Sequence, residues 1–330
     1  MRSSPPSNFM VTANGGTSRE GRPVTHFESG VVDPIYLPFT EDELKIHFAP
    51  IAHERRLDPD RHLTYYREST KRTDRQMEKD ERFWVMAALV GLFSSEDPVN
   101  AFATALRKCL SEAPPFSGFA TWEETLGDVA DLQLYFEVNL PSPKQYGATR
   151  VGRLDELMLP VPHLRAAAER ARAGLEGTTK VDAVLIAPET GCAVLFEAKV
   201  LADTSCSIRF DPIRNQIARN IDVMLEENAH LAYPLNRRVP ERTCFVLLTP
   251  ELFCREPESR LYGWLYQAYK NRESDVLQRH LRHRNAADLA NVPERLGWLT
   301  YEECNRIVPN TCRWLMTADV TPIEPGAKLE

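Results

Sequence analysis

The sequence predicts an α+β or α/β fold: a central mixed β-sheet flanked by helices, with helical regions at both ends of the chain. Three observations predict it. Strand-length apolar runs cluster between residues 120 and 250, a helix with one clean apolar stripe falls among them, and helical patterning dominates on either side. With 330 residues the chain has room for roughly two domains of about 100–200 residues each. Its 43% hydrophobic and 26% charged residues are enough apolar mass for a full core, which excludes a disordered or disulfide-stapled chain.

Residues 1–33 hold Ser, Pro, Asn and Gly without periodicity and read as a disordered leader. Residues 34–119 read as a helical N-terminal region. Thr40-Glu41-Asp42-Glu43 has the capping-box spacing, Glu81–Phe93 is apolar almost all round, and Val99–Glu112 is stopped by Pro114-Pro115. Residues 120–255 carry the α/β core. Leu132–Leu140 is rich in β-formers, and His163–Gly177 is Ala- and Arg-rich and helical. Val181–Ala187 and Ala193–Val200 are strands joined through a short Pro- and Gly-containing turn. A helix over about 212–227 and the strand Thr243–Thr249 follow. Residues 256–330 read as a helical C-terminal region, with a helix over about 259–281 and a second capping box at Thr300–Glu303. The helical ends could form a separate domain or pack on the central sheet; the pattern leaves both open.

Composition narrows the function classes. A net charge of −7, from 40 basic and 47 acidic residues, argues against a surface that coats nucleic acid all over, while leaving room for a local basic groove. Seven cysteines without a C-x-x-C pair read as reduced thiols of a cytoplasmic protein. The apolar run Phe83–Phe93 is far short of the ~20 residues a membrane crossing needs, and the N-terminus lacks a signal-peptide core.

The hairpin concentrates the chemistry. Side chains alternate faces along a strand, so Asp182, Val184 and Ile186 share one face of the first, and Ala193, Leu195, Glu197 and Lys199 share one face of the second. A four-residue loop at 188–191 sets position 182 opposite 197, with Cβ atoms about 4.5–5.5 Å apart. Two carboxylates among Val, Leu, Ile, Phe and Ala repel each other and lose hydration. A divalent cation offsets that better than one lysine, since Mg²⁺ takes oxygen ligands, keeps several waters and is commonly held by one or two carboxylates. Water on such a cation ionises more readily, and a neighbouring amine can orient it.

Val181-Asp182, fourteen intervening residues and Glu197-Ala198-Lys199 resemble the PD-(D/E)xK nuclease superfamily, with its restriction-endonuclease-like core. Val181 stands where that family usually has proline. The resemblance covers about 120–250, in an order of helix, three strands, helix and strand. It implies a metal-dependent nuclease acting on nucleic acid, DNA above all, in restriction, phage defence or repair. Asp182, Glu197 and the Ala198 carbonyl would bind Mg²⁺ or Mn²⁺, and Lys199 would activate water or stabilise the phosphate. Gln216-Ile217-Ala218-Arg219 looks like the family's helical Gln element, with Gln216 positioning water or substrate and Arg219 contacting phosphate. The family often adds a glutamate from a helix before the first strand; Glu124 is the choice here, with Glu123, Glu137 and Glu169 as alternatives.

Arg214 on the same helix, and Arg279, Arg282 and Arg284 in the most basic C-terminal stretch, complete the candidate phosphate contacts. Duplex cutting needs two sites, which suggests a homodimer. The competing reading is a non-catalytic module on a degenerate nuclease-like scaffold, binding nucleic acid or protein, with Asp182, Glu197 and Lys199 as a buried ion pair. His280, His283, Cys304 and Cys312 lack the spacing of a zinc site. Tyr262, Trp264, Tyr266 and Tyr269 read as helix packing rather than a base-stacking platform.

Overall fold

The computed structural model describes residues 9–12, 81–143, 145–146, 178–204, 214–227, 229–309 and 311–312. The expected capping box at Thr40–Glu43 and the helix over 163–177 lie outside these residues. The described elements, in chain order, are β1 (Phe9–Thr12), α1 (Glu81–Phe93), α2 (Pro98–Cys109), α3 (Trp122–Leu126), β2 (Gln133–Leu140), β3 (Thr179–Ala187) and β4 (Cys192–Ala198). They continue with α4 (Gln216–Met224), β5 (Thr243–Thr249), α5 (Glu251–Arg255), α6 (Leu261–Lys270), α7 (Val276–His280), α8 (Ala286–Leu289), β6 (Leu296–Thr300) and α9 (Tyr301–Ile307).

The strands form one mixed sheet in the order β1-β2-β3-β4-β5-β6. The pairs β1–β2, β2–β3 and β3–β4 are antiparallel; β5 runs parallel to β4, and β6 parallel to β5. The antiparallel β3–β4 pair needs only a tight turn, whereas a parallel step needs a crossover, which α4 supplies between β4 and β5. Every residue of β4 and β5 is buried, which is why both are predominantly apolar, Glu197 of β4 being the one charged residue in either. In the β3–β4 turn, Gly191 adopts a left-handed φ of 72°, and an added Cβ would meet Val239 at 2.5 Å.

Helices cover both faces. Residues of α1, α2, α3 and α9 join Leu134, Phe136, Leu185, Val194, Phe196, Val246 and Leu248 in one core. Residues of α4 and α6 join Val184, Ile186, Leu195, Phe245 and Leu247 in the other. Elements from both helical end regions therefore pack on the central sheet. As its pattern predicted, α1 is buried almost all round. Tyr262, Tyr266 and Tyr269 of α6 are buried, and only Trp264, at 47% exposure, faces outward.

Two expectations are corrected. The leader 1–33, read as disordered, contributes β1, whose Phe9-Met10-Val11-Thr12 pairs with Phe136 to Gln133 at the edge of the sheet. The C-terminal region, read as helical, contributes β6 as the other edge strand. Its Leu-Gly-Trp-Leu-Thr is short and glycine-interrupted, and Gly297 is where α2 closes in: an added Cβ would lie 3.0–3.1 Å from Leu110 and Cys109. Among the described residues no helix is long and apolar enough to cross a membrane.

Gly263 of α6 is the tightest such approach. A Cβ there would overlap the Pro257 carbonyl oxygen and lie 2.8 Å from the carbonyl carbon, and backbone cannot swing aside as a side chain can. Gly263→Ala is expected to destabilise the protein by about 1–3 kcal/mol, read as a lower urea midpoint at unchanged m-value.

Candidate active site

The β3–β4 register pairs Ala183 with Phe196 and Ala187 with Cys192 around the four-residue turn, and one further step sets Asp182 against Glu197. Asp182 Oδ2 accepts a hydrogen bond from the Ala198 N–H at 2.8 Å. Glu197 is fully buried, and both its oxygens are engaged. Oε1 accepts from Lys199 Nζ at 2.6 Å and Oε2 from Asn220 Nδ2 of α4 at 2.8 Å. Lys199, only 4% exposed, also donates to the Ala198 carbonyl at 3.0 Å and to Glu81 Oε2 at 3.2 Å. Its own N–H bonds to the Leu248 carbonyl at 2.9 Å, so its backbone is held by β5.

Three carboxylates thus surround one ammonium. Burial pushes Asp182 well above its ordinary value, and the Glu197 charge pushes it further in the same direction. Burial also raises Glu81, against the pull of Lys199. For Lys199, burial opposes the charged form, but Glu197, Asp182 and Glu81 together outweigh it and hold the ammonium protonated. Glu81 Oε1 and Asn220 Oδ1 are buried without a hydrogen-bond partner, so the cluster retains unused acceptor capacity.

A local break in the sheet accompanies Asp182. Phe136 pairs with Ala183 and Val138 with Val181, which brackets Glu137 opposite Asp182. Tyr135 and Val138 nevertheless join the same core, as do Val184 and Val181, so the alternation of faces slips at these two residues. Glu137 takes up the slip with a left-handed φ of 55° and pairs with Lys180.

The structure brings Asp182, Glu197, Ala198 and Lys199 together. Gln216 is half-buried one turn before Asn220 on α4; the α4 side chain that touches the acids is Asn220. Glu124 is placed elsewhere. Its Oε2 accepts from Ala120 N at 2.7 Å and Thr121 N at 3.4 Å, closing the capping box of α3. The helix-borne acid at the cluster is Glu81, which sequence reasoning missed although it is the single acid of α1 and opens that helix.

Two of the arginines read as phosphate contacts are instead internal. Arg214 pairs with buried Asp222 at 2.7 Å beneath the Tyr146 ring, and Arg284 pairs with Asp222 at 2.8 Å and Glu226 at 3.0 Å. Arg219 is half-buried on α4, whereas Arg279 and Arg282 are exposed. His283 hydrogen-bonds Asp222 and His280 hydrogen-bonds Tyr269, while Cys304 and Cys312 lie in the other core. These four residues form no zinc site.

Among the described residues no three His, Cys, Asp or Glu side chains are set as a ready-made metal cage. Asp182, Glu197 and the Ala198 carbonyl are the oxygens that could hold a hard divalent cation, which takes as few as one or two protein carboxylates. No protein-family model, curated protein or solved structure matches the chain.

A carboxyl whose folded pKa lies above its ordinary 3.8 binds its proton more tightly folded than unfolded, so the folded state loses stability as pH rises from 3.8 through the raised value. Asp182→Asn is therefore expected to stabilise the protein at pH 7, with the gain shrinking towards zero as pH falls below about 4. Urea denaturation at a series of pH values checks both parts.

Proposed function

We propose that this chain is a Mg²⁺- or Mn²⁺-dependent nuclease of the PD-(D/E)xK type, hydrolysing phosphodiester bonds of nucleic acid, DNA foremost. The observation that carries the reading is the juxtaposition of Asp182 and Glu197 on adjacent strands, with Lys199 Nζ 2.6 Å from Glu197. The element order α3, β2, β3, β4, α4, β5 supports it, since it follows the helix, three strands, helix and strand of that core. The surplus of carboxylates over ammonium supports it too, because a structural ion pair alone leaves buried negative charge.

Asp182, Glu197 and the Ala198 carbonyl would hold the cation, which when bound supplies a water of lowered pKa and charge neutralisation at the phosphate. Asn220 fixes Glu197 from α4 and so sets the direction of its free lone pairs. Lys199 carries a tightly held proton, which suits it to stabilise negative charge on the phosphate more than to accept a proton from water. Gln216, which would position water or substrate, and Arg219, which would contact phosphate, share α4 with Asn220. Arg279 and Arg282 are the exposed cations that remain for phosphate contact, and two strands to cut would bring two copies together.

The reading is tested by incubating wild type and the variants Glu197→Ala and Lys199→Ala with duplex DNA, single-stranded DNA and RNA, with Mg²⁺ or with EDTA. Wild type is expected to cut only with the cation. Each variant is expected to lose at least about 100-fold in rate, while keeping the far-UV circular dichroism of wild type. A wild type that cuts none of the substrates with Mg²⁺ or Mn²⁺, with variants altered only in stability, would identify a scaffold instead.

A further inference from the structure

Lys199 and a divalent cation compete for the same atoms. The ammonium lies 2.6 Å from Glu197 Oε1 and 3.0 Å from the Ala198 carbonyl, two of the oxygens assigned above to the cation. Like charges placed on the same oxygens repel strongly in a site so poorly hydrated, and each weakens the other's hold. Nor can Lys199 retire to solvent, being 4% exposed with its backbone pinned to Leu248. Among the described residues, the other acceptor it hydrogen-bonds is Glu81 Oε2, 3.2 Å from Nζ.

We infer that Lys199 is the resident counter-ion of the cation site, displaced when the cation enters, and that Glu81 is the positioning residue that receives it. This inference rests on the metal-site reading above. Three features of the geometry support it. Glu81 stands on α1, outside the strands that carry Asp182 and Glu197, so it can hold Lys199 without drawing on the atoms the cation needs. Its Oε1 is buried without a partner and can accept a second N–H as Lys199 leaves Glu197. The four-carbon lysine stem moves an ammonium by a few ångströms through rotamer changes alone.

The formal charges agree. With all three ionised, as cation binding would require, Asp182, Glu197 and Glu81 carry three negative charges; one ammonium leaves two of them unmatched, and one divalent cation leaves one. Both together neutralise the set. Charge balance therefore favours moving Lys199 over expelling it, and Glu81 is the third carboxylate that this requires.

The test is calorimetric titration of Mn²⁺ into the full chain as wild type, Lys199→Gln, Glu81→Gln and the double variant, with folding checked by circular dichroism. Lys199→Gln keeps an N–H donor for Glu197 but removes the competing charge, so Mn²⁺ is expected to bind about tenfold tighter. Glu81→Gln strands Lys199 on Glu197 and is expected to weaken binding about tenfold in wild type, but under about threefold once Lys199 is Gln. Lys199→Met provides the same comparison should the Gln variant fold poorly. Unchanged or weaker binding by the Lys199 variants overturns the inference. So does a Glu81→Gln loss of equal size in both backgrounds, which would make Glu81 a ligand. Mn²⁺-dependent cleavage by wild type alongside either result leaves the nuclease reading standing. Binding that follows the expected pattern without cleavage sinks the nuclease reading and keeps the inference. No Mn²⁺ binding by any form removes both.

Discussion

The Glu197 carboxylate is the constraint around which the rest of the molecule is arranged. It sits at zero exposure on the last turn of pleat before β4 ends, where an ionised group without donors would cost several kcal/mol. Each oxygen has one donor, and each donor comes from a different direction. Lys199 approaches from the strand itself and Asn220 from the crossover helix. Lys199 in turn reaches Glu81 at the start of α1, on the opposite face of the sheet. One buried acid thus ties the sheet to both helical layers.

That arrangement works only if α4 is held in register, and the C-terminal region does this. Asn215 caps α4 by accepting from Ala218 N at 3.0 Å, and its amide donates to the Tyr269 hydroxyl at 2.6 Å, which His280 also contacts. Asp222, one turn after Ala218, gathers Arg214, His283 and Arg284, and this set of partners outweighs its burial and holds its carboxyl below the usual range. At the other end Arg238 donates to the Val223 and Met224 carbonyls, where the last turn of the helix runs out of following N–H groups. Burial and neighbouring Arg295 bring Arg238 down to about 10, so it still carries its charge at neutral pH. Of the arginines that read as phosphate contacts, Arg214 and Arg284 therefore act as a frame for the helix that presents Asn220. Truncating the chain after β5 would be expected to disturb Glu197, and not merely to trim a surface.

The hairpin was legible because a period-two pattern and a four-residue turn leave one register that keeps Val184 and Leu195 on the same inner face. Thr243–Thr249 was legible because a strand covered on both sides is apolar throughout. Glu81 was not, because nothing in a linear pattern tells which helix start will land at the end of a distant strand 118 residues away. The Glu124 choice failed for a related reason: an acid three residues after a threonine satisfies a local cap as readily as a metal, and local hydrogen bonds need no tertiary approach. Arg214 and Arg284 were misjudged because charge counting assumes solvent, and a buried Asp222 three helical positions beyond Arg219 gives no outward sign that it will draw cations inward. Short edge strands such as β1 and β6 lack the length and patterning that distinguish them from loop or helix.

Asp182 shows what the arrangement costs. Its neighbours across the sheet are Glu197 on one side and Glu137 on the other, and both charges oppose its ionisation. A sequence selected for stability alone would place Asn or Thr there, since either can accept from the Ala198 N–H without adding charge. The chain instead keeps the acid, breaks the alternation of two strands beside it and accepts a left-handed backbone at Glu137. Unmatched charge and a left-handed backbone coincide at one strand end, a pattern that fits the chemistry proposed for it. Under the proposed function the compensation would be a charge that the polypeptide does not carry: two further positive charges beside Lys199 would turn Asp182 from a liability into a ligand.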